Sequence, residues 1–549
     1  MPTVTLNKKE FEKLVGKTLP LEELKDRISM LGTDLESIEG NEIVVEVFPN
    51  RPDMLSEQGF ARAFSSFIGE KKGLREYKVR ESGQEVVIDK TVREVRPYTV
   101  CAIVRNLELT DEKIREIVQI QEKLHVTQLR KRKKGAIGIY PMEAIDFPIT
   151  FCGKKPEEIS FRPLEADSEM SANEILENHP TGKDYGFLLE GYNAYPLFID
   201  AKGQILSMPP IVNSHTTGKV NTDTKDVFIE CSGFDYKILS RCLNIIVTAF
   251  ADMGGEIQSI TLKYPEEKHV TPDLSPSKHE FDLEYINRRL GLSLNLEEAK
   301  ELLERMGYGF EDGKVLVPSY RTDIMHMVDF VEDIAIAYGY ENFDVVIPER
   351  GTVGQEDPFE RYKAKTAQII AGLGMIEINT HHLTNREHQC TRMNAEIQLV
   401  TLRNAISAEH NALRAWMIPT LCETLANNKH NEYPQEIFGF GSIFKLDEST
   451  ETGVKEDERL GVAICKEDAD FTAIKQVFDY LCRSLDLSYE FEETEHPSFI
   501  PGRVARVKVN GKKVAYVGEL HPAVLTNWRI EMPVAVFELN MSDMYETQA

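Results

Sequence analysis

Apolar and polar residues alternate along this chain with two periods, and each period predicts a different kind of element. Apolar residues at helical spacing, closed by a glycine or preceded by a capping residue such as Asn7 or Ser56, predict helices. The main predicted helices are 21–31, 56–68, 111–132, 234–253, 282–290, 295–306, 413–431 and 471–485. Short apolar runs between turn residues predict strands, and Asn510-Gly511 predicts a hairpin turn between two of them. The main predicted strands are 42–47, 98–106, 136–140, 196–200, 205–208, 227–232, 257–264, 377–383, 436–446, 460–465, 503–509, 512–520 and 534–539.

Polar stretches rich in proline divide these elements into groups. The run 265–276 is the clearest boundary, and 348–358 is a second linker. A chain of 549 residues has room for several domains, and the pattern predicts an α+β multidomain fold. The predicted parts are an N-terminal α/β domain at 1–85, a larger α/β domain at 86–268, a small winged-helix-like helical domain at 269–347, and an antiparallel sheet with flanking helices at 355–549.

The segment 315–343 carries the clearest local pattern in the small helical domain. It predicts a short strand, a turn that begins at Pro318, and a helix from about Ile324 to Tyr338. Gly339 follows as a typical residue just past the end of a helix. Apolar residues at helical spacing predict the buried face of this helix. They are Val328, Val331, Ala335 and Tyr338.

Four acidic residues cluster around the same helix. Asp329, Glu332 and Asp333 stand at i, i+3 and i+4, so their carboxylates share one face, and Asp323 lies upstream. Carboxylates this close repel one another unless something such as a hard Mg2+ ion compensates them. The alternative is that the helix dipole favours acids in the first turns and that no metal binds. The spacing leaves both interpretations open.

The strand predicted at 227–232 is apolar except for two residues. Alternation places Phe228, Glu230 and Ser232 on one face of the strand. A carboxylate and a hydroxyl beside an aromatic ring are an exception in such a strand. From the spacing alone, the favoured interpretation is an edge strand with one solvated face.

The charge balance limits the possible contacts with nucleic acid. The chain has 64 Lys and Arg against 90 Asp and Glu, which gives a net charge of −26. A protein that binds nucleic acid with its whole surface is therefore excluded, and any RNA contact must be local or shared with a partner. One basic run, 130–134, stands out. It is either the solvated C-terminal end of a helix or a contact with an RNA backbone, and both interpretations stay open.

Cysteine usage and hydropathy indicate the compartment. The eight cysteines are scattered and form no CxxC motif, so neither a zinc site nor a disulfide framework is predicted. The chain contains no apolar run long enough for a transmembrane helix, and the N-terminus does not resemble a signal peptide. We therefore expect a cytoplasmic protein that does not associate with a membrane.

Several motifs in this chain resemble one family along essentially the whole sequence. They are FPNRPD at 48–53, LSMPPIVNS at 206–214, FIECSG at 228–233, PSYRTDI with DFVEDIA and YGYENF within 318–343, LRxxxIPxL at 413–421, and VGELHP at 517–522. Together they resemble the beta subunits of phenylalanyl-tRNA synthetase, of the archaeal and eukaryotic type. We interpret FPNRPD as a turn that packs its domain.

The resemblance implies that the larger α/β domain edits mischarged tRNA. In that family this domain hydrolyses tyrosine wrongly attached to tRNA(Phe). The implied pocket residues are Phe198 for substrate binding, with Ser207, Asn213, Glu230 and Ser232 for the reaction. A pocket that hydrogen-bonds the tyrosine hydroxyl rejects phenylalanine, because its own polar groups would then stay unpaired. We expect Glu230 or Asn213 to recognise the hydroxyl, and Ser207 or Ser232 to hold water or the ester.

The resemblance also implies a metal and a partner. Mg2+ would be bound at the contact with the alpha subunit by Asp323, Asp329, Glu332 and Asp333. The alpha subunit would use ATP, and two copies of each chain would form an α2β2 phenylalanine–tRNA ligase that binds tRNA(Phe). The last domain resembles a class II synthetase core, but the strand at 436–446 lacks the Arg-x-Glu pair that such a core needs, so we expect an inactive copy.

Two other functions remain possible from the sequence. The chain could be a free-standing deacylase that acts on mischarged tRNA without a partner. It could also be a scaffold subunit with no enzymatic activity. The small helical domain could contact nucleic acid, although its exposed acids make a protein contact the favoured interpretation.

Overall fold

A computed structural model describes residues 2–347 and 351–547 of the chain. The chain divides into two units after Val346. Of the linker predicted at 348–358, residues 348–350 lie outside the described part. No helix among the described residues is long and apolar enough to cross a membrane. The architecture mixes helices and strands throughout, as the hydrophobic pattern predicts.

The chain begins with a three-stranded antiparallel sheet in the order β1-β3-β2, covered by helices. Its strands are β1 Thr3–Asn7, β2 Asp34–Glu39 and β3 Glu42–Glu46, and its helices are α1 Lys8–Val15, α2 Leu21–Met30 and α3 Glu57–Phe67. Asn7 caps α1 by accepting hydrogen bonds from the backbone of Lys9 and Glu10. Ser56 caps α3 in the same way. Both caps confirm the sequence prediction.

The FPNRPD motif folds as a buried turn before α3. Residues Pro52–Met54 form one turn of 3-10 helix. Arg51 donates two hydrogen bonds of 2.9 Å to the carboxylate of Asp53, and both side chains are buried. A bidentate pair of this kind satisfies both charges at once. The motif therefore packs the domain, in agreement with its interpretation as a structural turn.

A large mixed sheet forms the middle of the first unit. Its strand path is β12-β11-β10-β7-β4-β14-β5-β13-β6, with β15 beside β14. The strands of this region are β4 Val79–Ile88, β5 Tyr98–Arg105, β6 Gly135–Pro141, β7 Ile149–Lys154, β8 Ser160–Phe161, β9 Met170–Ser171, β10 Tyr195–Ile199, β11 Ile205–Met208, β12 Val212–Asn213, β13 Val227–Gly233, β14 Glu256–Lys263 and β15 Lys268–Thr271. The helices are α4 Asp111–Val126, α5 Ala172–Asn178, α6 Pro180–Tyr185, α7 His215–Gly218 and α8 Tyr236–Asp252.

Three predictions for this region need correction. Strand β13 lies between β5 and β6 and is buried along its whole length, so the edge-strand interpretation is wrong. Strand β15 forms where the sequence predicts only linker, because it pairs with β14. Strand β4 crosses residue 85, where a domain boundary is predicted, because it pairs with β14 and β7 of the large sheet. Partners distant in sequence decided the first and third outcomes, whereas β15 pairs with the strand just before it in the chain.

Helix α4 is shorter than predicted. It ends at Val126, and the basic run 130–134 lies in the turn that follows. The φ angles of Arg130, Lys131 and Arg132 are 48°, 54° and 63°, which is left-handed backbone and incompatible with a continuing α-helix. Val118, an apolar residue of α4, is 52% exposed. The basic run therefore lies in the turn just past the C-terminus of α4 and not within a longer helix.

The small region before residue 347 contains the expected helices and a hairpin. Its elements are strands β16 Ser277–Glu280, β17 Gly309–Glu311 and β18 Lys314–Val317, and helices α9 Leu283–Leu290, α10 Leu296–Arg305 and α11 Met327–Tyr338. Helix α11 begins at Met327, later than predicted, because His326 caps it. Val328 is exposed, whereas Phe330 and Ile334 are buried, so the buried face lies to one side of the predicted one.

The second unit is built on a seven-stranded sheet in the order β19-β22-β23-β27-β26-β25-β24. All neighbours in this sheet are antiparallel except the short pair β19 and β22. The strands are β19 Ile376–Glu377, β20 Leu383–Thr384, β21 Ala412–Leu413, β22 Gln435–Leu446, β23 Val454–Cys465, β24 Glu490–Glu493, β25 Phe499–Val509, β26 Lys512–Leu520 and β27 Val534–Asn540. The helices are α12 Pro358–Ala371, α13 Arg386–Gln389, α14 Ile418–Asn427, α15 Phe471–Ser484, α16 Pro522–Trp528 and α17 Met541–Glu546.

Two elements of the second unit differ from prediction. The helix predicted at 413–431 begins only at Ile418, because Arg414 turns into the interior and binds the backbone oxygen of Ser442. The strand predicted at 377–383 is two short strands, β19 and β20. The hairpin at Asn510-Gly511 is confirmed, and both residues have the positive φ that its turn requires.

Candidate functional site

A cavity of about 520 Å³ opens beside the large sheet of the first unit. Helix α4, strand β6, the segment 209–213 and strand β13 contribute to its wall. Two of the predicted site residues, Asn213 and Glu230, line it. The cavity is large enough for an amino-acid side chain and its ester.

Glu230 is the most unusual side chain at this cavity. It is only 1% exposed, and its strand neighbours are Cys101 on β5 and Gly138 on β6. Burial raises the pKa of Glu230 to about 8, although the charge of Arg96 and hydrogen bonds from Ser232 and Tyr140 oppose the rise. The carboxyl group is therefore mostly protonated at neutral pH, and it can donate as well as accept a hydrogen bond.

The hydroxyl of Tyr140 joins the predicted residues into one network. It lies 2.7 Å from Ser207 Oγ, 3.2 Å from Glu230 Oε1 and 3.4 Å from Asn213 Oδ1. A phenol has only one proton, so it donates one of these bonds and can accept the others from neighbouring hydroxyl and carboxyl groups. Burial raises the pKa of Tyr140 well above its ordinary value, so this phenol stays neutral. Glu230 Oε2 is buried and has no partner in the described part of the chain.

The strand order explains how these residues meet. Strands β6 and β12 end the path at opposite edges of the sheet, yet Tyr140 on β6 reaches Ser207 on β11. The sheet is therefore curved so that its two ends approach each other. Phe198, Ser207 and Asn213 are direct cross-strand neighbours on β10, β11 and β12. The ring of Phe198 stacks on Phe151 in the core with centroids 4.4 Å apart, and it is not among the residues that line the cavity.

Ser232 is held by a buried arginine. Arg96 Nε donates to Ser232 Oγ over 3.1 Å, and Arg96 Nη2 donates to the backbone oxygen of Ser232 over 2.7 Å. Burial lowers the pKa of Arg96 to about 10, so the guanidinium remains charged at neutral pH. Ser232 therefore orients Arg96, whose charge acts on Glu230 from nearby.

A second polar group forms the wall next to α4. His125 accepts a hydrogen bond at Nε2 from the backbone of Ile137 over 2.9 Å, and its Nδ1 lies 3.1 Å from Glu122. Burial lowers the pKa of His125, so the ring is neutral. Burial opposes ionisation of Glu122, but the hydrogen bond from His125 and the charge of Arg132 outweigh it and lower the pKa of Glu122 to about 2. His125, Glu122 and Arg132 all line the cavity, and the contacts among them hold this part of its wall.

The four acids around α11 do not share one site. Asp323 receives two hydrogen bonds from Arg321, at 2.8 and 2.7 Å, and Asp333 receives one from Arg321 at 2.7 Å and another from Tyr308. Burial alone would raise the pKa of Asp323, but the Arg321 charge and hydrogen bonds lower it. Asp329 accepts hydrogen bonds from the backbone N–H groups of Met325 and His326, each 2.7 Å long.

These contacts decide which of the four carboxylates are free to bind a Mg2+ ion. Arg321 already compensates Asp323 and Asp333, so a cation at those two carboxylates would have to displace a buried guanidinium. Asp329 and Glu332 each keep one oxygen without a hydrogen bond among the described residues. Within the described part of the chain, the group of three carboxylates whose oxygens come close enough to share an ion is Asp34, Glu36 and Glu46, in the first sheet. The full set of four therefore does not fit as arranged.

Sequence reasoning missed Tyr140, Arg96 and His125. Tyr140 carried one usable signal, because a tyrosine in an otherwise apolar buried strand must find a partner for its hydroxyl. Gly138 carried another, since an added Cβ there would lie 2.6 Å from Glu230 Oε1. Arg96 lies outside every motif and is 136 residues from Ser232 in the chain, so no local signal could identify it.

Comparisons with known proteins agree with this architecture. Residues 344–541 match the family model for the phenylalanyl tRNA synthetase beta chain CLM domain, and residues 279–340 match the tRNA synthetase B5 domain. The chain is 42% identical to the phenylalanine–tRNA ligase beta subunit of Pyrococcus abyssi, and the alignment covers 100% of both chains. It is 39% identical to the beta subunit of Archaeoglobus fulgidus, over 100% of this chain and 99% of that one.

A solved structure is also similar to the first part of the chain. It is the crystal structure of an N-terminal fragment of the phenylalanyl-tRNA synthetase beta subunit from Pyrococcus horikoshii, with 39% identity and a TM-score of 0.59. The match covers 61% of this chain and 99% of the fragment. Full-length similarity to named relatives and two matching domain models thus converge on one assignment. The chain belongs to the family of phenylalanine–tRNA ligase beta subunits.

Proposed function

We propose that this chain is the beta subunit of a phenylalanine–tRNA ligase and that the cavity beside Glu230 hydrolyses tyrosine attached in error to tRNA(Phe). The observation that carries the proposal is the network in which Tyr140 and Ser207 hold Asn213 and Glu230, the two members that line the cavity. The same chain would support the attachment of phenylalanine by an alpha subunit that uses ATP. We expect this assembly in the cytoplasm.

Glu230 recognises the substrate hydroxyl in this proposal. Its Oε2 is buried without a partner, so a tyrosine hydroxyl in the cavity would complete its hydrogen bonding. A phenylalanine ester would leave that oxygen buried and unpaired, which costs about 1–3 kcal/mol for a neutral group. A site built around a hydroxyl therefore rejects the analogue that lacks it.

The hydrolysis itself needs no covalent nucleophile, because the aminoacyl ester is already activated. Ser207 is buried and is not among the residues that line the cavity, so its proposed role is to hold the Tyr140 hydroxyl, which lies 2.7 Å away. Ser232 is already engaged by Arg96, so its contribution is to hold that arginine near Glu230. Phe198 packs under this row of residues and supports Ser207 from the adjacent strand.

The alpha subunit is proposed to contact the exposed side of α11 and the residues before it. Met325 is 82% exposed and Val328 is also exposed, so apolar surface stands beside Asp329 and Glu332. Phenylalanine–tRNA ligases use Mg2+. Asp329 and Glu332 each keep an oxygen that a Mg2+ ion at this contact could take, and Mg2+ commonly binds only one or two protein carboxylates. Asp323 and Asp333 would join them only if Arg321 released them.

The second unit is proposed to serve as a partner surface rather than as a synthetic site. Strand β22, with the sequence QEIFGFGSIFKL, contains no arginine that could neutralise ATP phosphates. An α2β2 assembly would let each alpha subunit supply activation while this chain supplies editing. ATP–pyrophosphate exchange by this chain alone is therefore expected to be undetectable.

The test is deacylation by the chain co-expressed with its alpha subunit. Tyr-tRNA(Phe) should be hydrolysed much faster than Phe-tRNA(Phe), and Glu230→Ala should remove most of this difference. Equal hydrolysis of both substrates by the wild-type complex would contradict the editing proposal. A lone chain that is monodisperse and fully active would instead favour a free-standing deacylase.

A further inference from the structure

We propose that the turn carrying Arg130, Lys131 and Lys133, together with the ring of Phe187, is the surface on which the 3′ end of the tRNA lies as its aminoacyl ester enters the cavity. This proposal rests on the proposed editing function and names the part of the protein that holds the RNA. The turn is called the basic turn below and comprises residues 127–134.

The basic turn is held in one conformation. Three consecutive residues other than glycine, Arg130, Lys131 and Arg132, have positive φ angles. Backbone hydrogen bonds fix them, from Lys131 to Val126 O, from Arg132 to His125 O and from Lys134 to Leu129 O, at 3.3, 3.2 and 3.0 Å. Conformations this rare in ordinary residues persist where the surrounding structure imposes them, and they are concentrated at functional sites.

Arg132 ties the basic turn to the cavity wall. Its Nη1 lies 3.1 Å from the backbone oxygens of both Pro210 and Ile211, and its Nη2 donates to Glu122 over 2.8 Å. Arg132 also lines the cavity itself. The exposed side chains of the turn therefore stand next to the cavity that would receive the ester.

The remaining cations of the basic turn carry no compensating acid. Arg130, Lys131 and Lys133 are exposed, and none of them forms an ion pair with any residue in the described ranges. They stand together in a chain whose net charge is −26. A local group of unpaired cations on an acidic protein attracts phosphate, and the remaining surface repels it.

An exposed aromatic ring stands beside these cations. Phe187 is 50% exposed, and the Nζ atom of Lys133 lies 5.9 Å from its ring centroid. The guanidinium of Arg132 stacks over Tyr185 at 4.4 Å, so the segment that carries Phe187 packs directly on the basic turn. His179 and Thr181, just before it, line the cavity. Cations that follow a backbone and an exposed ring for base stacking are the features that bind single-stranded RNA.

The partner chemistry follows from these features. The 3′ end of a tRNA is single-stranded and carries the ester at its last ribose, so its phosphates must pass the rim of any cavity that hydrolyses the ester. Two or three phosphates would contact the exposed cations, and one base would stack on Phe187. The binding would depend on the RNA backbone and stacking rather than on base sequence.

The experiment compares two double charge reversals in the complex with the alpha subunit. Arg130→Glu with Lys131→Glu alters the basic turn, and Lys90→Glu with Lys237→Glu is the matched control, because both control residues are exposed, lack ion pairs in the described ranges and do not line the cavity. The first variant should lose at least about tenfold in kcat/KM for Tyr-tRNA(Phe) deacylation, mainly through KM. In this variant the slope of log kcat/KM against the logarithm of the salt concentration should become shallower by about one to two.

A further variant, Phe187→Ala, and a measurement of RNA binding distinguish failure of this proposal from failure of the editing proposal. Phe187→Ala should lower kcat/KM about five- to tenfold with an unchanged salt dependence, because it removes stacking but no charge. Binding of an uncharged acceptor-stem RNA with a single-stranded 3′ end should weaken in the Arg130→Glu, Lys131→Glu variant and not in the control. If the wild type deacylates and both double variants behave alike, the basic turn is not the RNA surface, although the editing function stands. If the wild type does not deacylate, the proposal is tested by the difference in RNA binding between the Arg130→Glu, Lys131→Glu variant and the control. Equal RNA binding by these two variants overturns it.

Discussion

The first unit contains two buried groups of charged and polar side chains that look alike in composition but differ in balance. Around Arg321, one guanidinium serves Asp323 and Asp333, and Tyr308 completes the set. Around Glu230, no cation lies within ion-pair distance in the described residues, and Oε2 has no hydrogen-bond partner there. The carboxylates of the first group are paired by Arg321, although Nη1 of that arginine has no hydrogen-bond partner within the described ranges, whereas the carboxyl of the second group is left incomplete beside a cavity.

This difference separates a structural role from a functional one. A buried charge that is fully paired holds elements together and needs no ligand. A buried polar group without a partner costs stability and is retained where a ligand completes it. The spacing of the acids near α11 suggests a metal cluster, but two of these four acids are paired with Arg321 within the protein. The alternation around Glu230 predicts an edge strand, yet this strand carries the candidate site.

Removing the Arg321 cation, which pairs with Asp323 and Asp333, is expected to have the largest effect on stability. Arg321→Met would leave Asp323 and Asp333 buried without compensation, at a cost of about 3–5 kcal/mol in the free energy of unfolding. The exposed pair Arg80–Glu256 offers a control, since Arg80→Met should change the free energy by less than about 1 kcal/mol. Urea titration of both variants measures the contrast. Similar midpoints would show that the buried network does not stabilise the fold.

Replacing Glu230 by glutamine is expected to raise the free energy of unfolding, whereas Arg321→Met lowers it. The pKa of Glu230 is about 8 in the folded chain against an ordinary value of 4.5, so the folded state keeps its proton to higher pH than the unfolded state. Stability is therefore lost as pH rises between these values, by about 3 kcal/mol from pH 5 to 7.5. Glu230→Gln removes this dependence, so the difference between variant and wild type should grow across that range. A pH-independent difference would contradict the buried, protonated carboxyl.

A smaller effect is expected from filling the space beside Glu230. An added Cβ at Gly138 would press on the Tyr140 hydroxyl and on Glu230. Gly138→Ala should cost about 1–3 kcal/mol and reduce Tyr-tRNA hydrolysis, because overpacking displaces the network. Gly354→Ala is the control, since open space surrounds that position. Equal stability and activity in the two variants would show that the close approach at Gly138 is unimportant.

The smallest effect is expected at the surface of α11. Asp329 accepts backbone hydrogen bonds at the helix start, so Asp329→Ala should cost about 1 kcal/mol and also weaken association with the alpha subunit. Glu332→Ala should weaken association without the loss of a cap. Analytical ultracentrifugation with and without Mg2+ measures both. If only Asp329→Ala weakened the complex, the capping role would be sufficient and the metal role would fail.

Local signals in the sequence predicted much of the fold. The caps at Asn7 and Ser56, the hairpin at Asn510 and the strands on either side of Gly203 all depend on residues a few positions apart, and all agree with the structure. Such features follow from backbone geometry and short hydrogen bonds, which a single sequence carries in full.

Less of the candidate site could be predicted from the sequence. Glu230 was named through family resemblance, but its burial depends on β5 and β6, which flank it from distant parts of the chain. Tyr140 reaches Ser207 only because the sheet curves until its ends meet, and Arg96 reaches Ser232 across 136 residues. Periodicity cannot report such contacts, since it describes the faces of one element and not what packs against them.

The most direct test of the difference between the two groups is the ratio of Tyr-tRNA(Phe) to Phe-tRNA(Phe) deacylation in the Glu230→Met complex. Methionine keeps most of the side-chain volume but has no hydrogen-bond donor and only a weak acceptor, so recognition of the hydroxyl is lost while the buried site stays filled. The expected result is a loss of at least about tenfold in kcat/KM for the tyrosyl substrate, with the phenylalanyl rate unchanged. An unchanged ratio would show that the incomplete group at Glu230 does not select the substrate.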